Sequence, residues 1–106
     1  MKTAILLLAC VGATCISVTG AATPSPAAGG KLFAMKCAVC HDVDGGQRRI
    51  GPGLKGVKDG KLPSGRKTTP GAVLKKLNDG GGGMPVFREL LTEEEKRSLV
   101  AYVLTL

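Results

Sequence analysis

Apolar residues recur at three- and four-residue spacing in three places along this chain of 106 residues, and nowhere do they alternate at every second position for any length. The clearest stripe is the last, with Leu99, Tyr102, Val103 and Leu106 on one helical face. Thr92 followed by Glu95 supplies a capping box for it, and Glu93 and Glu94 suit the positive end of the helix dipole. A second helix opens at Thr69-Pro70, a cap residue followed by proline at the first position. Val73, Leu74 and Leu77 form its apolar stripe, and it stops by Asp79. A first helix is expected over Gly29 to Cys40, with Leu32, Phe33 and Val39 as its apolar contacts. The residues before it, 23–28, read as a mobile lead.

Between these helices the chain is punctuated by turn formers. Gly45-Gly46 and Gly51-Pro52-Gly53 mark one loop. Leu54 to Val57 is expected to make a single helical turn, and Gly60 to Thr68 is polar, basic and turn-rich. Gly80 to Gly83 is a loop of four glycines. The expected fold is all-α, one small domain over residues 29–106.

The N-terminal residues follow a different pattern. Lys2 precedes an apolar run from Ala4 to Val18, and small residues follow at Gly20, Ala21 and Ala22. That is the layout of a secretory signal peptide over residues 1–22, cleaved after Ala22 or Ala21. No Arg-Arg pair precedes the run, so the general secretion route and a periplasmic destination are expected. Cys10 and Cys15 would leave with this segment. Two alternatives stay open: lipidation at Cys10 after Leu7-Leu8-Ala9, and an uncleaved membrane anchor. After cleavage no stable membrane insertion is expected.

Composition adds a stability problem. The remaining domain of about 84 residues buries little core by itself. Phe33, Phe87 and Tyr102 are its only aromatics, and the chain holds 16 glycines and no tryptophan. Domains this small generally need a staple such as a metal, a disulfide or a large cofactor.

Cys37-Ala38-Val39-Cys40-His41 names the staple. Two cysteines with two residues between them and a histidine directly after form an attachment site for a c-type haem. Residues three apart share one face of a helical turn, so both thiols can bond one porphyrin while the next residue offers its imidazole to the iron. A thioredoxin-like dithiol would sit in a strand–helix setting and needs no adjacent histidine. A zinc site would want four ligands. His41 is the only histidine in the chain, and the other cysteines lie in the N-terminal apolar run.

With these residues in place the chain resembles the class I monohaem cytochromes c of the small bacterial type. The landmarks arrive in the family's order from Gly29 to Leu106: a Gly/Phe helix into C-x-x-C-H, a Gly-Pro-x-Leu loop, a middle helix, a Met-Pro loop and a C-terminal helix with Leu and Tyr. The resemblance implies three to four helices around one covalent haem, with Gly29 and Phe33 crossing Leu99 and Tyr102. It places the second axial ligand at Met84. Met35, beside the cysteines, would serve packing. It implies that the Pro52 carbonyl accepts from the haem histidine and that Leu54 packs on the ring. Arg66 is a candidate for the haem propionates.

The chain carries 15 basic and 8 acidic residues, a formal net charge of +7. Much of the positive charge lies between Arg48 and Lys76. Nucleic-acid binding is not expected, because neither aromatic interleaving nor a known module accompanies the charge. An acidic docking surface on a redox partner fits better. The expected function is an exported, monomeric one-electron carrier. No general base or nucleophile set accompanies the motif, so enzyme activity is not expected. A labile Met84 would instead suggest a haem peroxidase or gas-binding protein, and a retained N-terminal segment an electron-entry subunit of a membrane complex.

Overall fold

The structure is a computed structural model, and it describes residues 23–106; the expected signal peptide with Cys10 and Cys15 lies outside the described residues. Three α-helices form the frame: α1 (Pro26–Lys36), α2 (Pro70–Asp79) and α3 (Glu93–Val103), with a 3-10 turn at Val57–Asp59. Among the described residues β-type pairing is limited to isolated bridges such as His41 with Arg48 and Gly81 with Met84. No helix among them is long and apolar enough to cross a membrane.

Each helix starts where side-chain chemistry supplies the missing hydrogen-bond partner. Thr92 Oγ1 accepts from the Glu95 N–H at 3.1 Å while the Glu95 carboxylate accepts from the Thr92 N–H at 2.8 Å. Thr69 caps α2 by accepting from the Ala72 N–H at 3.1 Å. Ser25 does the same for α1, accepting from the Ala28 N–H at 3.1 Å, with Pro26 at the first helical position. Helix α1 therefore takes in the last three residues of the expected mobile lead. The Ser25 N–H also donates to Ser98 Oγ at 3.2 Å, which ties the start of α1 to α3.

The far end of α1 differs from expectation as well. It stops at Lys36, and residues 37–40 form turns in which the Cys40 and His41 N–H groups both donate to the Cys37 carbonyl, at 3.0 and 2.9 Å. Val39, expected as a core contact, is 68% exposed, and Met35, expected to pack, is 74% exposed. The single helical turn expected over Leu54 to Val57 is shifted to Val57–Asp59, directly after Gly56, whose φ of 82° breaks any earlier start.

α1 and α3 cross closely. A Cβ on Gly29 would lie 1.9 Å from the Ser98 carbonyl oxygen and 2.8 Å from Tyr102 Cβ, so only glycine fits there. The Phe33 and Tyr102 rings meet beside the crossing at 5.2 Å between centroids, tilted by 54°. Such a pair contributes about 1 kcal/mol beyond its buried area. Leu99 and Val103 on α3 and Val73 and Leu77 on α2 complete the inner faces. The expected crossing and both apolar stripes are thus present. Leu106, assigned to the α3 stripe, lies past the helix and is half-buried.

Candidate functional site

The helices leave a cavity of about 440 Å³ between them, within the size range of small-molecule and cofactor clefts. Phe33, Leu54, Val73, Leu77, Phe87 and Leu99 give it an apolar lining. Cys37, Cys40, His41, Pro52 and Met84 line the same cavity. All six residues singled out as cofactor-binding or metal-ligating, Leu54 among them, are thereby brought to one wall or another of a single space.

The histidine segment is built locally. The His41 Nδ1–H donates to the Pro52 carbonyl at 2.7 Å, which fixes the tautomer and leaves Nε2 as the free nitrogen. Gly51 lies against the imidazole: a Cβ there would stand 2.7 Å from His41 Cε1 and 3.0 Å from Nδ1. The Gly51 N–H donates to the Cys40 carbonyl at 2.8 Å, and the Leu54 N–H to the Asp42 carbonyl at 2.8 Å. Asp42 accepts from the Gly45 and Gln47 N–H groups at 3.0 and 3.2 Å. These backbone donors, Gln47 foremost, hold its carboxyl below the usual aspartate range.

Cys37 is buried and Cys40 half-buried, and both are unbridged. Burial pushes the Cys37 thiol up, the neighbouring Cys40 adds to this, and Lys36 opposes it.

The methionine segment is built differently. Gly80 to Gly83 all have positive φ, and the Gly81 and Met84 backbones exchange hydrogen bonds at 3.0 and 3.2 Å. Met84 itself is half-buried. Beyond it, the Phe87 N–H donates to the Leu77 carbonyl at 2.8 Å, and Arg88 pairs with Asp79 at 3.0 Å.

Arg66 is not part of the cavity lining. It borders a neighbouring recess with Ser64, Lys75 and Asp79, and only Ser64 and Lys76 reach both spaces. The basic side chains that do line the cavity are Lys36, Arg48 and Lys76, near the exposed Val39 and Ile50. Sequence reasoning missed Lys96, which is 1% exposed within α3. Its position one residue before the Arg97-Ser98-Leu99 stretch of α3 carries no signal of burial; only its helical phase, three before Leu99, places it on the inner face.

The sequence profile described as cytochrome c oxidase, cbb3-type, subunit III matches residues 24–103. The cytochrome c6 of Leptolyngbya boryana is 38% identical over 78 residues, which is 74% of this chain and 88% of that protein. The FixP subunit of the cbb3-type cytochrome c oxidase of Azorhizobium caulinodans is 35% identical over 96 residues, 85% of this chain but 31% of that protein. Among solved structures, cytochrome c6 from the diatom Phaeodactylum tricornutum superposes with a TM-score of 0.61 at 32% identity, covering 76% of this chain and 92% of that one. The chain belongs to the cytochrome c family, as a small monohaem member of class I. It is an electron carrier with one covalently bound c-type haem.

Proposed function

We propose that Cys37 and Cys40 would carry the two thioether links, that His41 Nε2 and the Met84 sulfur would hold the iron, and that the chain works as an exported carrier without enzyme activity of its own. One observation carries this reading: His41, with Nδ1 engaged by Pro52 and Nε2 free, lines the same apolar cavity as Met84 and both cysteines. The residues fit the group in size, polarity and donor set. Bound haem supplies a centre that gains and loses one electron. The chain's own residues do the rest. Pro52 orients the imidazole and makes it a better donor to the metal. Leu54, Phe87 and Leu99 exclude water. Met84, on the cavity wall, would occupy the place at the iron that a substrate or gas needs.

Residues 1–22 act as the secretion signal in this reading, delivering the chain to the periplasm through the general secretion route. The partner presents an acidic surface to Lys36, Arg48 and Lys76 around the cleft, with Val39 and Ile50 as apolar contacts. The rival reading, an electron-entry subunit of a membrane complex, draws on the cbb3-type profile match. The cytochrome c6 relative, of which the chain covers 88%, favours the free-standing carrier.

Absorption spectra of the holoprotein, reduced and oxidised, with and without carbon monoxide, test the ligation. A c-type spectrum unmoved by the gas is expected; gas binding would transfer the reading to a haem enzyme or sensor. For the partner, reduction rates should fall steeply as ionic strength rises. Rates insensitive to salt would remove the acidic surface.

A further inference from the structure

Lys96 is the most deeply buried charged side chain of the described residues, and the proposed electron transfer makes no use of it. Its ammonium has three hydrogens and three partners. It donates to Asn78 Oδ1 at 2.9 Å and to the Arg88 carbonyl at 3.2 Å, and it meets the Glu93 carboxylate at 2.5 Å. These belong to three separate segments: the last turn of α2, the stretch after Met84, and the first turn of α3. A buried charge persists only where such partners surround it.

The consequence falls on Met84. The methionine sits in a loop that leaves α2 at Gly80 and is caught again by the Phe87 N–H on the Leu77 carbonyl. Inside the loop the Gly81 and Met84 backbones clasp each other, but that pair does not tie the loop to the helices. Where the loop is recaptured therefore sets how far the methionine can stray, since a longer free loop has more conformations to lose. Lys96 holds the Arg88 carbonyl, four residues beyond Met84, and through Asn78 binds the same end of α2 from which the loop departs.

We infer that Lys96 is a positioning residue for Met84, clamping both ends of the glycine loop so that Met84 is kept at the cavity where it would hold the haem iron. This rests on the reading of Met84 as axial ligand. Lys96→Met keeps the length of the side chain and removes the amine. The Arg88 carbonyl and Asn78 then lose a buried partner and the loop gains freedom to move away.

The test is competition for the ferric iron in the intact holoprotein, with imidazole as the probe and absorbance as the readout. Met84→Ala defines the open site. Wild type should bind imidazole far more weakly than this variant; equal affinity would overturn the axial role of Met84 itself. Given a closed wild type, Lys96→Met should bind imidazole about tenfold more tightly, the size expected when a buried polar group loses its partner. Lys75→Ala, which removes an exposed pair with Asp79, should stay within about twofold of wild type. Lys96→Met staying within about twofold of wild type, whatever its melting temperature, would overturn the clamp. Amide exchange separates positioning from general loosening: residues 84–91 should exchange faster and residues 32–37 should not, whereas uniform acceleration counts against the clamp. Should Lys96→Met fail to accumulate, Asn78→Ala removes one of the three partners and should raise imidazole affinity about threefold, between the wild type and a full loss. An unchanged affinity there would likewise overturn the inference.

Discussion

The two segments proposed to hold the haem iron are built on opposite plans. Around His41 every restraint comes from within about a dozen residues: Pro52 on Nδ1, Gly51 against the ring, and the Cys40 and Asp42 carbonyls taking the Gly51 and Leu54 amides. Around Met84 the loop has one local clasp, the paired Gly81 and Met84 backbone bonds, and its other restraints come from α2 and α3 at its base. A ligand set by a short contiguous segment is rigid because few torsions separate it from its supports. A ligand hung on a loop is only as fixed as the distant contacts that close the loop. For a carrier with the proposed ligation this asymmetry would be useful: one ligand would anchor the cofactor and the other would seal it.

Gly51→Ala on the histidine segment and Gly82→Ala on the methionine segment put that contrast to measurement. The first adds a methyl group 2.7 Å from the imidazole and 3.1 Å from the Cys40 carbonyl, where neither neighbour can retreat without breaking the Pro52 bond or the turn. A destabilisation of about 2 kcal/mol is expected, as for an overpacked core, together with a shifted midpoint potential. The second meets no atom within 4 Å, but its φ of 64° belongs to the left-handed region. The cost there is about 1 kcal/mol, and the potential should hardly move. Urea unfolding and voltammetry of the two holoproteins check both. If Gly82→Ala proved the costlier, or moved the potential more, the two segments would not differ in rigidity as described.

The same contrast explains what the sequence revealed. The histidine segment is contiguous, so Cys37, Cys40 and His41 announce themselves by spacing alone. Both stripes of α2 and α3 were legible from periodicity, because apolar residues three or four apart share one helical face; the crossing of α1 with α3 came from the resemblance to the family, not from spacing. Helix α1 was misplaced at both ends. Ser25-Pro26 is the same cap-and-proline signal as Thr69-Pro70, but it lies in a run of Pro and Ala that reads as a flexible lead. At the other end the Cys37 to Cys40 turn keeps helical hydrogen bonding without being helix, which turned Val39 outward. The distant restraints on Met84 were not legible. Lys96 looks like any lysine of a charged helix until Asn78, Arg88 and Glu93, up to 18 residues away, are seen to converge on it.

Asp79 offers the smallest and most specific probe of the methionine segment. Its carboxylate joins Lys75 on α2 to Arg88 in the stretch beyond Met84. The hydrogen bond from Lys75, with the charges of Lys75 and Arg88 behind it, holds this carboxyl below its ordinary value of 3.8. A carboxyl depressed in the folded chain stabilises the fold at pH values above its ordinary value. That contribution declines as pH falls past this value and is gone below the folded one. Asp79→Asn should therefore lower the urea midpoint slightly at neutral pH and leave the two proteins converging as the pH falls from about 5 toward 2. The pair is exposed, so added salt should shrink the difference at neutral pH as well. Amide exchange at Phe87 and Arg88 should rise with the substitution at neutral pH while exchange at Gly51 stays fixed. A matching rise at Gly51 would mean that the two segments loosen together, and the division between a rigid anchor and a hinged seal would fail.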